Sequence, residues 1–109
     1  MAFDKGLAER IERYFDGVAE TSTRHMFGGL CFLKRGNMCC GIVADKLMAR
    51  VGPEQYDQCL EMPHAVQMDF TGKPLKGMVY VLPEGIVDDS DLKFWLETCE
   101  AFVDLLPAK

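Results

Sequence analysis

Two histidines and five cysteines carry most of the potential for catalysis or metal binding in this 109-residue chain. A cysteine or serine nucleophile needs a base within hydrogen-bond reach, and only His25 and His64 are available as histidine bases. Both are expected in connecting segments, outside any known catalytic motif. Cys59 and His64 lack the further closely spaced ligands of a zinc site. We therefore expect no catalytic residue and no metal site.

The cysteines are odd in number, and the first ten residues lack the apolar segment of a secretion signal. Both features predict reduced, packed thiols rather than a disulfide framework. The adjacent pair Cys39-Cys40 has an alternative interpretation as a redox or soft-metal site. Successive strand residues point to opposite faces of a sheet, so we expect this pair to be poorly placed to share one ion.

Carboxylates and glycines also occur in groups that chemistry could use. Asp88, Asp89 and Asp91 precede an apolar run with helical periodicity, which is typical of a helix start rather than of a catalytic dyad. Gly28-Gly29 lacks the G-x-G-x-x-G pattern of a nucleotide site, so we expect these glycines to permit tight entry into a strand. The sequence therefore predicts no cofactor.

A short basic segment is the best local candidate for recognition. Lys73, Pro74 and Lys76 lie in the predicted loop 71–77, and exposed loops carry much of molecular recognition. One interpretation is an anion- or protein-docking loop. The other is a solvated turn whose course is set by Pro74.

Hydrophobic periodicity predicts the elements that must position these residues. Asp4 is the expected N-cap of the first helix, Pro53 opens a short second helix, and Pro107 ends the last one. Residues 20–25 are expected to form a polar connector. Five strands are predicted, at residues 30–33, 38–43, 47–51, 65–70 and 78–82. The predicted fold is α+β, with a five-stranded antiparallel sheet, flanking helices and the order α-β-β-β-α-β-β-α.

Composition restricts the class of protein. Charged residues make up 27% of the chain and hydrophobic residues 49%, which is typical of a globular domain and excludes a disordered chain. The net charge of −5 disfavours direct contact with a nucleic-acid backbone or an anionic membrane surface. The apolar runs are too short to span a bilayer, so we expect one cytoplasmic domain over residues 1–109.

Several short motifs occur in the order and spacing of a known family. They are Met26-Phe27-Gly28-Gly29-Leu30-Cys31-Phe32, Gly36-Asn37-Met38, Leu47-Met48-Ala49-Arg50-Val51-Gly52-Pro53, and Met68-Asp69-Phe70-Thr71-Gly72-Lys73-Pro74-Leu75-Lys76-Gly77. With the aromatic-rich last helix, they make the chain resemble the TfoX N-terminal domain family of TfoX/Sxy competence regulators. The resemblance covers essentially the whole chain and implies an α+β fold with an antiparallel sheet.

The resemblance also implies a regulatory role. Family members in naturally competent bacteria act with the cAMP receptor protein, and their two-domain form carries a C-terminal domain. This sequence ends at Lys109, so we expect a single-domain member. We expect a structural role for the residues at family-motif positions, which are Met26, Phe27, Gly28, Gly29, Gly72 and Gly77.

The last helix suggests an interaction surface. Phe94, Ala101 and Leu105 lie partly outside its main apolar face, which indicates either core packing or a homodimer contact. We therefore expect a non-enzymatic regulatory module that binds another protein. The alternative is a small-molecule-binding protein or small enzyme with a pocket between sheet and helices. RNA binding through the sheet ranks third, because Phe32 and Tyr80 lack basic surroundings.

Overall fold

The computed structural model describes residues 4–26, 28–70 and 73–107, and these form three α-helices and one six-stranded antiparallel sheet. The helices are α1 (Lys5–Phe15), α2 (Tyr56–Leu60) and α3 (Asp89–Val103). The strands are β1 (Thr21–Met26), β2 (Gly29–Lys34), β3 (Asn37–Val43), β4 (Lys46–Arg50), β5 (Ala65–Phe70) and β6 (Lys73–Val81). Their spatial order is β1-β2-β3-β4-β6-β5. The predicted α+β class with an antiparallel sheet is confirmed.

The predicted number of five strands is wrong, because the supposed polar connector is strand β1. This strand pairs with β2 along its whole length, from Thr21 opposite Lys34 to Met26 opposite Gly29. It is the outer strand of the sheet, and residues 22–25 are exposed, so a polar sequence suffices there. Hydrophobic alternation is a signal of strands with one buried face, and residues 22–25 of β1 present no such face.

The predicted loop before β6 is also wrong, since the strand begins at Lys73 and includes Pro74 and Lys76. Pro74 has no backbone N–H and is normally excluded from the interior of a sheet. Here β4 pairs with β6 only from Met78 to Val81, so at Pro74 the strand has a partner on the β5 side alone, opposite Asp69. An unpaired edge tolerates proline.

The helix starts agree with the sequence to different degrees. The Asp4 side chain accepts hydrogen bonds from the backbone N–H groups of Gly6 and Leu7, which confirms it as the N-cap of α1. Asp88 has the N-cap position of α3 but makes no side-chain capping bond. Pro53 does not open α2, which starts at Tyr56 after a turn, and α3 ends at Val103, before Pro107.

The sheet buries side chains on both faces. In β4, Leu47 and Ala49 belong to the main core, which they share with buried residues of α1 and α3. Met48, between them, belongs to a second cluster on the opposite face. The helices therefore pack on one face of the sheet, and α3 lies over β3 and β4.

A β-bulge corrects the prediction for the cysteine pair. Phe32 pairs with Cys40 and Leu33 pairs with Met38, so Cys39 is an extra residue in β3. Two residues of a bulged strand then oppose one residue of its neighbour. Cys39 and Cys40 consequently pack in the same main core rather than on opposite faces.

Candidate docking surface

An apolar groove of about 370 Å³ runs between α3 and the segment that joins β4 to α2. Thr98, Ala101 and Phe102 of α3 form one wall together with Leu105, which lies in the turn just after the helix, and residues 51–55 form the other wall. Leu105 is 81% exposed, so its side chain projects into solvent at the rim. Such exposure at the edge of an apolar groove is typical of a surface that binds a partner.

The wall opposite α3 depends on two glycines with positive φ angles. Gly52 has φ = +89°, and a Cβ atom at this position would lie 2.3 Å from Cδ1 of Phe102. The Phe102 ring therefore rests directly on the Gly52 backbone. Gly77 in β6 holds this backbone in place, because its carbonyl oxygen accepts hydrogen bonds from the N–H groups of Val51 (2.9 Å) and Gly52 (3.0 Å).

Arg50 contacts the Phe102 ring as well. Its guanidinium carbon lies 5.4 Å from the centroid of the Phe102 ring, within the range of a cation–π contact. The same guanidinium donates a hydrogen bond of 3.1 Å to the Met38 carbonyl oxygen. Phe102 is thus held between β4 and the groove, and its position sets the groove floor.

The outward side of α3 carries a short apolar stripe, which we define as Phe94, Thr98, Ala101 and Leu105. Phe94, Thr98 and Ala101 are spaced by four and three positions and so share one face of α3, and Leu105 follows in the turn after the helix ends at Val103. Phe94 is 44% exposed, and the Thr98 hydroxyl donates to the Phe94 carbonyl oxygen at 2.8 Å. The stripe therefore presents two large apolar side chains with small ones between them.

A polar network fixes α3 against α1 and β2. Glu100 accepts hydrogen bonds from the Tyr14 hydroxyl at 2.6 Å and from Lys34 Nζ at 2.8 Å. Lys34 Nζ also lies 2.9 Å from an Asp104 carboxylate oxygen. Beyond the helix end, the buried Asn37 amide donates to the Pro107 carbonyl oxygen at 2.9 Å. These contacts hold the C-terminal half of α3, which contains the groove wall.

The pKa values of Lys34 and Tyr14 are both raised within this network. Hydrogen bonds to Glu100 and then Asp104 raise the pKa of the Lys34 ammonium. Burial, followed by the hydrogen bond to Glu100, raises the pKa of the Tyr14 hydroxyl. At neutral pH Lys34 is a cation and Tyr14 is neutral, which suits a fixed ion pair rather than acid–base catalysis.

A second cleft, of about 250 Å³, lies between α1 and the start of α3. Arg10 crosses it to an Asp89 oxygen 3.1 Å away, and also donates to the Val87 carbonyl oxygen. Asp89 thus pairs with an arginine rather than with a second carboxylate. The contact ties α1 to the N-terminus of α3.

The five cysteines are free thiols, and all are buried. Cys40 and Cys99 lie in the same core, where the Cys39 thiol and burial raise the pKa of Cys40 and burial raises that of Cys99. Protonated thiols are poor nucleophiles and poor metal ligands. Within residues 4–26, 28–70 and 73–107, no group of three or more His, Cys, Asp or Glu side chains is placed to hold a metal ion.

Comparison with known protein families identifies the family of this chain. The family model for the TfoX N-terminal domain matches residues 13–103, which is most of the chain. The chain belongs to the TfoX N-terminal domain family. Comparisons with curated proteins and with solved structures each gave no significant match.

The motif positions of this TfoX N-terminal domain lie mainly around the sheet. Gly29 begins β2, where a Cβ atom would lie 1.8 Å from the Ile42 carbonyl oxygen, so the two strands approach too closely for any side chain. Met26 ends β1 and Gly28 follows in the turn. Phe27 and Gly72 lie outside the described residues. Gly77 is the residue that holds the Gly52 backbone.

The other predicted residues are not brought together at the groove. Lys73, Pro74 and Lys76 lie in β6, and their proposed docking role stays a prediction. His25 lies in β1, and His64 lies in the turn before β5 with φ = +67°. The sequence did single out Phe94, Ala101 and Leu105, but it gave no sign that the 51–55 segment faces them. Pro53 marks that segment in the sequence, but as the predicted start of the second helix rather than as part of a groove wall.

Among the described residues, none of the three helices has the length and apolar character needed to cross a bilayer.

Proposed function

We propose that this TfoX N-terminal domain is a non-enzymatic regulatory module that binds another protein through the apolar groove and the stripe on α3. The observation that carries the proposal is the 81% exposure of Leu105 beside a groove lined by Val51, Phe102 and Ala101. Leu105 gains little from burial within its own fold, whereas a partner seated in the groove would remove its apolar surface from water.

The rigidity of the wall supports docking rather than chance exposure. Glu100 and Asn37 fix α3 on either side of Leu105, so the groove is formed before a partner arrives. A surface that does not need to be ordered on binding loses less conformational entropy. Pre-formed apolar surfaces of this kind are typical of protein–protein contacts.

The test is affinity capture of bound proteins from the native host, followed by quantification for each variant. Leu105→Ser removes an exposed apolar side chain whose burial would contribute about 1–2.5 kcal/mol, so we expect capture to weaken on the order of tenfold. Ala101→Glu should have a larger effect, because it places a charge inside the groove.

Val87→Ser is the matched control, since Val87 is 71% exposed but does not line the groove. It should leave capture unchanged. Equal capture by the wild type, Leu105→Ser and Ala101→Glu would refute the proposed docking surface.

A second candidate function is small-molecule binding in the same groove. Its volume falls at the lower end of the range of ligand pockets, about 300–1,000 Å³. The polar residues in the lining are Glu54, Gln55 and Thr98, and the Thr98 hydroxyl already donates to the Phe94 carbonyl oxygen. A small ligand would therefore have to form its hydrogen bonds mainly with Glu54 and Gln55. A small ligand that raises the melting temperature of the wild type but not of Ala101→Glu would favour this alternative.

A further inference from the structure

The charges around the groove are strongly one-sided. Residues 51–61, which contain the wall opposite α3, include three carboxylates and no Lys or Arg; the carboxylates are Glu54, Asp57 and Glu61. All three are exposed, and Glu54 lines the groove itself. Helix α3 adds the exposed carboxylates of Asp91 and Glu97 against the single cation Lys93, while its other two carboxylates, Asp89 and Glu100, are in ion pairs with Arg10 and Lys34. The apolar surface therefore lies between two acidic segments.

Two basic residues that contact Phe102 or α3 are already engaged in internal contacts. Arg50 lies under the Phe102 ring and donates to Met38, and Lys34 is held by Glu100 and Asp104. Neither is among the residues that line the groove. A partner that enters the groove consequently meets mainly apolar atoms, together with the Glu54 carboxylate and no Lys or Arg.

This charge pattern opposes a second copy as the occupant. Two copies related by a two-fold axis present the same surface to each other, so carboxylates of one copy would face those of the other. Each chain also carries a net charge of −5. Like charges placed across an interface disfavour association, whereas a cationic partner gains from the same groups.

We propose that the groove binds a short amphipathic helix whose apolar side chains are flanked by Lys or Arg. This inference rests on the proposed docking function and adds the chemistry of the partner. Thr98 lies on α3 and Leu105 lies seven residues further along, in the turn after the helix, so the groove wall is about 10 Å long. Apolar residues at positions i, i+4 and i+7 of a partner helix span the same length and share one face.

In the bound arrangement the apolar side chains of the partner lie between Pro53 and Ala101. Its Lys or Arg side chains extend over the edges toward Glu54 and the exposed carboxylates of α3, Asp91 and Glu97. Long basic side chains can cover apolar surface with their methylene groups while the charged end stays in water. The apolar contacts supply most of the affinity, and the charges supply the orientation and the preference for basic partners.

The experiment selects ligands from a displayed library of random peptides about 14 residues long, roughly four helical turns. The purified wild-type chain is the target, and the Leu105→Ser variant removes peptides that bind elsewhere. The expected result is enrichment of peptides with apolar residues at helical spacing and Lys or Arg beside them. Affinities of the selected peptides are then measured by fluorescence anisotropy.

Charge reversal at the groove provides the decisive comparison. Glu54→Lys exchanges attraction for repulsion with each basic side chain nearby, so the selected peptides should bind it about three- to tenfold more weakly. Glu9→Lys is the matched control, because Glu9 is exposed on α1 and the net charge changes equally. Screening over about 8–10 Å should keep its effect below about twofold.

The outcomes separate this inference from the function on which it rests. Peptides that require Leu105 but lack Lys and Arg, and that tolerate Glu54→Lys, would keep the docking surface and overturn the basic partner. Failure to enrich any Leu105-dependent peptide would overturn it as well, while host-protein capture tests docking independently. Light scattering that shows a dimer lost on Leu105→Ser would identify a second copy as the occupant and also overturn it.

Discussion

The substitution Glu100→Gln tests whether the network under α3 holds the groove wall in place. It removes one negative charge without changing the size of the side chain. Lys34 Nζ lies 2.8 Å from the Glu100 carboxylate, and the two side chains are only 15% and 19% exposed. The ion pair is therefore partly shielded from water and from salt.

The magnitude follows from what remains after the substitution. A hydrogen bond to a charged group contributes about 1.5–3 kcal/mol, against about 0.5–1.5 kcal/mol for a neutral one. The Tyr14 hydroxyl can still donate to the amide oxygen of the new side chain, and Lys34 keeps its contact with Asp104. We therefore expect the free energy of unfolding to fall by about 1.5 kcal/mol.

Urea unfolding followed by the fluorescence of Trp95 measures this change. Trp95 is the sole tryptophan and is 2% exposed, so its emission reports the packing of α3. The dependence of the free energy on urea should be unchanged, since the same surface is exposed on unfolding. Glu97→Gln is the control, because Glu97 is exposed on the same helix and should cost less than about 0.5 kcal/mol.

The pH dependence gives a second reading of the same network. The pKa of Lys34 is raised in the folded state above its usual 10.5, so the stabilisation is complete below pH 10.5. It is lost as the pH rises through the higher folded value. The difference between wild type and Glu100→Gln should therefore be constant from pH 6 to about 9 and narrow above pH 10.5. Equal stability of Glu100→Gln and Glu97→Gln at neutral pH would refute the proposed role of the network.

Two further predictions concern the groove floor and the core. Gly52→Ala should destabilise the protein by about 1–3 kcal/mol more than Gly17→Ala in urea unfolding. Both glycines have positive φ, but only at Gly52 does a Cβ atom meet the Phe102 ring, so equal costs would mean that the ring moves freely. The five buried thiols should not react with a thiol reagent at neutral pH until urea unfolds the chain. A fast-reacting thiol in the native protein would contradict their burial.

The sequence predicted most of the fold because most elements have a buried face. Helix α1 is amphipathic and begins at a capping aspartate, and β3 and β4 are apolar runs between turn residues. Strand β1 lacks that signal, since its residues Ser22 to His25 are exposed and its only strand neighbour is β2. Pairing with β2 defines it, and pairing is a property of the fold rather than of the six residues themselves.

The sequence carries local signals for each wall of the groove but none for their meeting. The outward position of Phe94, Ala101 and Leu105 follows from helical periodicity, whereas Pro53 predicts a helix start that the structure places three residues later, at Tyr56. Their meeting depends on the Gly77 carbonyl that fixes the Gly52 backbone and on the crossing of α3 over β4. Both contacts join residues far apart in the sequence, beyond the range of any local pattern. The same is true of the cysteine pair, where a bulge reverses the expected alternation.

The basic side chains of this acidic domain form many of its internal contacts. Several basic side chains hold the elements of this domain together; Arg10 pairs with Asp89, Lys34 with Glu100 and Asp104, Lys46 lies over the Tyr80 ring, and Arg50 lies under Phe102. The proposed docking of a basic partner therefore depends on the carboxylates that these cations leave unpaired among the described residues, such as Glu54 in the groove lining and Glu97 on α3. The contacts that fix α3 and Phe102 also keep Lys34 and Arg50 out of the groove lining, which contains Glu54 but no Lys or Arg.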